Sequence, residues 1–187
     1  FGYELGGVRV HVTDGEGGQA WARVAAITRE WITWELPEEC ATGWALVRLI
    51  REGEPATEAG GVLVERSAPG LFTLDGSGRG AVLGWVRYRD GTVEALARCG
   101  PGGCQAVEVE GARAEELGLL ATGLRRAERV WARIGGQAAE VRGVERAEYP
   151  GVDWVRVVWP TGVAPGWAAV QVGAGEKAGN EAGVGVR

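Results

Sequence analysis

Few residues in this chain could carry chemistry. His11 is the only histidine, Ser67 and Ser77 are the only serines, and Cys40, Cys99 and Cys104 are the only cysteines. A Ser-His-Asp site would have to use His11, yet neither serine lies in the Gly-x-Ser-x-Gly turn that exposes a nucleophile. His11 stands between Val10 and Val12 beside Arg9, on the outward phase of a strand-like alternation, which marks a surface residue. Carboxylates are plentiful (Glu35, Glu38, Glu39, Glu58, Glu108, Glu110, Glu115 and Glu116), and a glycosidase pair needs only the right separation in space. These acids are expected on solvated faces, with no catalytic residue among them.

Two glycine-rich stretches, TDGEGG (13–18) and DGSGRG (75–80), faintly resemble ion or phosphate loops. The second lacks the Lys-Ser/Thr and following helix of a phosphate loop. Neither has the acid spacing of a calcium-binding EF-hand. Both are expected to be turns, with calcium binding as the other use and no cofactor or metal site assigned. CGPGGC (99–104) suits a local disulfide across a Gly/Pro turn, which requires an oxidising compartment. Two thiols are the alternative. A metal site is disfavoured because no second Cys/His pair exists.

The chain must position these residues with 187 amino acids, 33 of them glycine, which is far too much glycine for a helical protein. A formal charge of −5 argues against nucleic acid or an anionic membrane as the main partner. No apolar run approaches the ~20 residues of a membrane helix, so no membrane insertion is expected. There is no methionine, so Phe1 is not a translation start, and removal of a signal peptide is one expected cause. Lys177 and Asn180 are the only lysine and asparagine, a bias that GC-rich codon usage explains.

The strongest feature is a repeat. WITWELPEECATGWALV (31–47) aligns without a gap on WVRVVWPTGVAPGWAAV (154–170), with Trp31, Pro37, Gly43, Trp44 and Val47 recurring 123 positions later. Glu58-Ala59-Gly60 recurs at the same offset, and GGQA recurs at 17–20 and 135–138. Inside each copy the period is two. Ile32, Trp34 and Leu36 match Val155, Val157 and Trp159, while Val8, Val10 and Val12 match Val130, Ala132 and Ile134. Side chains two apart share one face of a strand, so these are the expected core positions. Trp31, Trp44, Trp154 and Trp167 fall on the opposite phase, suited to contacts between proteins or to stacking on sugar rings. Asp90-Gly91 marks a hairpin. ARAEELGLL (112–120) reads as a turn leading into a strand. Short strands with Gly/Pro punctuation predict an all-β chain of two tandem sandwiches related by duplication. The expected domains are 1–73 and 106–187, with a hairpin-bearing connector at 74–105.

SAPGLFT (67–73), LLATGL (119–124), IGGQAAEV (134–141), PGVDWVRVVWPTGVAPG (150–166) and the ending VGVR resemble the uncharacterised C-terminal domain of secreted acidobacterial (Solibacter-type) proteins. Each copy also resembles immunoglobulin-like domains of the IPT/TIG type. The resemblance implies two tandem immunoglobulin-like β-sandwich domains in extracellular or cell-surface proteins and no activity. VEVEGARAEELGLLATGL (107–124) precedes the second copy and supplies an opening strand, whereas the first copy has only FGYELGG (1–7) there. The first sandwich is therefore expected to have an unfilled edge, with Val8 and Val10 beside it as interface candidates.

An exposed edge leaves backbone N–H and C=O groups unpaired unless another strand covers them. The expected function is that of a non-catalytic extracellular structural or adhesive protein. It would be a homo-oligomer or polymer, a filament or surface-layer subunit assembled by strand donation, with other surface proteins as further partners. Carbohydrate binding through exposed tryptophans is the alternative.

Overall fold

A computed structural model describes residues 2–187, with the side chains of Glu58 and Ala59 outside the description. The protein is all-β, and every described element is a strand. Two compact units form: unit 1 comprises Phe1–Arg66 with Glu148–Gly151, and unit 2 comprises Ser67–Ala147 with Val152–Arg187.

Unit 1 is built from β1 (Val8–Thr13), β2 (Gln19–Ile27), β3 (Ile32–Glu35), β4 (Gly43–Arg51) and β5 (Thr57–Val64), in the order β3-β2-β1-β4-β5. All pairings are antiparallel. The alternation legible in VRVHV produces the fold directly: Val10 and Val12 are fully buried with Ala22, Val24, Ala45, Val47 and Val64, while Arg9, His11 and Trp21 face outward. Burying one face of each strand supplies the driving force, roughly 25 cal/mol per Å² of apolar area. Cys40 also enters this core and is not disulfide-bonded.

The interface role expected for Val8 and Val10 is corrected here. Val8 is 6% exposed and Val10 0%. β1 is a central strand with β2 on one side and β4 on the other, so it offers no edge.

Unit 2 is a two-sheet sandwich. One sheet has the order β14-β15-β11-β7-β8, with β6 also pairing β11. Its strands are β6 (Gly70–Leu71), β7 (Gly84–Tyr88), β8 (Val93–Ala95), β11 (Ala114–Thr122), β14 (Val141–Arg146) and β15 (Asp153–Val158). The other sheet has the order β13-β12-β16-β17, from β12 (Val130–Ile134), β13 (Gln137–Ala139), β16 (Gly166–Ala174) and β17 (Lys177–Val186). Val86, Leu117, Leu119, Val155 and Val157 from the first sheet meet Ile134, Val170, Val172 and Val184 from the second in one core. A separate hairpin joins β9 (Ala97–Gly100) to β10 (Gly103–Ala106).

The connector expected at 74–105 is likewise corrected. β7 and β8 belong to the unit 2 sheet, and the first unit ends at Arg66 instead of residue 73. Asp90-Gly91 does turn β7 into β8, with Gly91 at a φ of 85° that glycine reaches without strain. Asn180 holds residues 70–78 to β17. Its side chain accepts from Leu71 N–H (2.7 Å) and donates to the carbonyls of Leu71 (3.1 Å) and Gly78 (2.6 Å).

The two units share a strand order. β2-β1-β4-β5 in unit 1 matches β13-β12-β16-β17 in unit 2, and β3 beside the second half of β2 matches β15 beside β14. Even a register irregularity coincides: it falls between Val24 and Ala26 where β2 meets β3, and between Val141 and Gly143 where β14 meets β15.

Candidate functional site

The matching positions diverge at one place. In unit 2 the far side of β15 is occupied by β11, which pairs Leu117 with Val157 and Leu119 with Val155. Its hydrogen bonds continue past the strand end, where Trp159 N–H donates to the Glu115 carbonyl (2.8 Å). In unit 1, β3 is the last strand of its sheet, and no strand among the described residues pairs its outer side. Gly151, in the same unit, lies beside the side chain of Glu35.

The backbone of β3 is oriented for a neighbour. Val24 turns its N–H away from β3 to the Gly2 carbonyl (2.9 Å), and Val24 is paired with Trp34. Residues facing each other in such a pair both direct their polar groups outward, so Trp34 aims its N–H and C=O at the open side. Burial tells the same story. Val155, Val157 and Trp159 are 0%, 0% and 8% exposed, whereas the matching Ile32, Trp34 and Leu36 are only half-buried.

The charges also differ. Glu116 of β11 is fully buried, which corrects the expectation of a solvated acid. Three guanidiniums surround it: Arg87, Arg142 (3.2 Å) and Arg156 (2.6 Å). Hydrogen bonding to Glu116, with its charge, raises the Arg156 pKa further above its ordinary value. A buried carboxylate is tolerated only when paired in this way. In unit 1 the matching positions carry Thr33 for Arg156 and Ala25 for Arg142, while Glu35 stands where unit 2 has Val158.

The tryptophans expected at interfaces divide. Trp31, Trp44 and Trp167 are 73%, 68% and 61% exposed. Trp154 is half-buried, its ring tilted against that of Trp85 with centroids 6.2 Å apart. Trp44 lies over Gly61 and Trp167 over Gly183 on the adjacent strand, so each exposed indole also covers bare backbone.

The candidate catalytic groups are tied into local structure. His11 packs edge-on to Trp21 at 4.9 Å, with Arg9 over the same ring. Ser77 Oγ donates to Asp75 (2.8 Å) and accepts the N–H groups of Arg79 and Gly80. Both glycine-rich stretches are aspartate-centred turns. Asp14 accepts from the N–H groups of Ala41, Gly18 and Glu16, and Asp75 from that of Ser77. Those bonds, led by Ala41 for Asp14 and Ser77 for Asp75, hold both carboxyls below the ordinary aspartate range. Among the described residues no three His, Cys, Asp or Glu side chains cluster as metal ligands. Cys99 and Cys104 are disulfide-bonded across the β9–β10 hairpin. A cavity of about 460 Å³ in unit 2 is lined by Arg89, Trp159, Thr161, Val163 and Arg187 among others, with no Asp or Glu among its lining residues. No helix among the described residues is long and apolar enough to cross a membrane.

No protein-family model matches the chain, and a search of curated proteins finds no match.

Proposed function

We propose that this chain is a non-catalytic structural or adhesive protein of the cell exterior that acts by protein–protein contact. The open side of β3 is its joining surface. The observation that carries this reading is the contrast between β15, covered by β11, and β3, which ends its sheet. Such an edge is unfavourable left bare and is met by adding a strand from elsewhere. A contact between two different surfaces of like subunits repeats without closing, which yields a filament or a surface layer. The reading includes an ancestral duplication, supported by the repeated Trp and Pro positions, the shared strand order and the coincident register irregularity. The Cys99–Cys104 disulfide supports an oxidising, extracellular location. So does the resemblance to secreted acidobacterial and IPT/TIG-type domains.

Electron microscopy of negatively stained protein, beside size-exclusion chromatography across concentration, tests the proposal. Regular polymers that grow with concentration support it. A monomer at every concentration removes self-assembly.

A second reading rests on the exposure of Trp44 and Trp167: a carbohydrate-binding module stacking sugars on these rings. Glycan-array binding lost in Trp44→Ala and Trp167→Ala would favour it over assembly.

A further inference from the structure

We infer that the cavity of unit 2 is a binding site for a small organic acid, a molecule with an apolar body and one carboxylate. The joining surface proposed above plays no part in it. At about 460 Å³ the cavity has the size of sites that hold small molecules. Its wall is formed by the turn before β11 (Gly111), the connection from β15 to β16 (Trp159, Thr161, Val163) and the end of β17 (Val186). Trp159 decides what enters. It is only 8% exposed, yet its indole N–H has no hydrogen-bond partner among the described residues. Buried indoles ordinarily find an acceptor, as Trp131 does in the Gly175 carbonyl (2.9 Å). Among the described residues, Thr13 Oγ1 is the only side-chain polar atom both unpartnered and sealed from solvent. The Trp159 N–H therefore opens on accessible space. Gly111, whose Cβ would stand 3.9 Å from that nitrogen, lines the same cavity.

The polar groups of the wall call for an acceptor. An indole N–H and a guanidinium can only donate, and no Asp or Glu lines the cavity. The acids nearby in the chain are already engaged. Arg113 holds both Asp90 and Glu110, and Glu110 also takes the guanidinium of Arg187 (2.8 Å). The main-chain carboxyl of Arg187 is likewise engaged, one oxygen accepting from the Gly111 N–H (3.1 Å). Arg89 is different: it lines the cavity, is exposed, and pairs with no acid among the described residues. A carboxylate suits this wall, because it can accept from the Trp159 N–H and is drawn by the charge of Arg89. The hydrocarbon part of the ligand then lies against Val163, Val186 and the Trp159 ring, which supply the apolar surface such sites need.

The test follows the indole N–H resonances of the intact, nitrogen-15-labelled chain by NMR during titration with 4-phenylbutyrate or hexanoate. The Trp159 signal is identified by its absence from Trp159→Phe, which keeps an aromatic ring and removes the N–H. With either acid that signal should move downfield and saturate at one ligand per chain, while those of the exposed Trp44 and Trp167 stay in place. The neutral 4-phenylbutanamide has the same body and should bind roughly threefold or more weakly than its acid at low salt, the difference shrinking as salt rises. Arg89→Gln, an exposed position whose change leaves the core intact, should bring the acid down to the affinity of the amide and leave the amide unaffected. A Trp159 signal unmoved by both acids overturns the inference. So does movement shared equally with Trp44 and Trp167, or binding of the acid that Arg89→Gln does not weaken.

Discussion

Trp167 lies over Gly183 on the neighbouring strand, so closely that a Cβ on that glycine would overlap the indole. The same relation joins Trp131 to Gly173 and Trp85 to Gly118, and Trp44 meets Gly61 more loosely. Glycine inside a strand is entropically poor and leaves backbone uncovered. A cross-strand ring restores the contact, so these tryptophans serve the sheet even where one side of the ring meets solvent.

Gly183→Ala should therefore destabilise the protein although it adds only one methyl group. The ring must shift, at a cost of about 1–3 kcal/mol typical of overpacking. Urea unfolding should show a lower midpoint at unchanged slope. An unaltered midpoint would mean the ring moves aside freely.

Stability should fall in acid through the aspartate-centred turns. Backbone N–H donors, first among them Ala41, Ser77 and Thr92, lower the pKa of Asp14, Asp75 and Asp90 respectively. Each carboxylate is thus favoured in the folded state. Its contribution is complete above the unfolded aspartate pKa, near 3.9, and is lost as pH falls through the lower folded value. Denaturant midpoints measured from pH 6 down to about pH 2 should decline, and Asp14→Asn with Asp75→Asn should flatten the decline.

The two sides of the Glu116 cluster should respond unequally. Glu116→Leu leaves guanidiniums of Arg87, Arg142 and Arg156 that are 31%, 39% and 34% exposed and can turn to water. Its cost should stay within about 2 kcal/mol, because breaking a buried pair is strongly destabilising only when the charge left behind is itself buried. Arg87→Met with Arg156→Met leaves the carboxylate buried beside Arg142 alone and should lower the unfolding midpoint further. The reverse order would show that the arginines, not the carboxylate, carry the burial cost.

Reduction of Cys99–Cys104 should act locally. β9 and β10 pair only with each other and are largely exposed, and an isolated two-stranded hairpin is marginal in water. Dithiothreitol is expected to speed proteolysis within 97–106 while leaving the global unfolding midpoint in place. Loss of the global transition on reduction would tie the hairpin to the core.

How much of this was legible in the sequence follows from where each signal lives. Period-two alternation is local, and it placed Val8, Val10, Val12, Val155 and Val157 on buried faces. β11 was readable from LGLL despite the two glutamates before it. The burial of Glu116 was not, because its arginines arrive from β7, β14 and β15, between 26 and 40 positions away. The segment 74–105 read as a connector because its strands are short and their partner, β11, follows in the chain. The bias that left one asparagine concealed that Asn180 makes three hydrogen bonds. An unfilled edge in the first sandwich was expected from a missing opening strand, whereas the position of β3 at the end of its sheet is read only from the pairing pattern.

The placement of three arginines also bears on how the chain avoids misfolding. A newly made chain offers β11 two docking positions of similar outline, one beside β15 and one beside β3. Docking in the wrong one would set Glu116 opposite Glu35, with Thr33 and Ala25 where Arg156 and Arg142 should be. Specificity between like partners often comes from penalising the wrong pairing. Only the place beside β15 offers Glu116 the guanidiniums that a buried carboxylate needs.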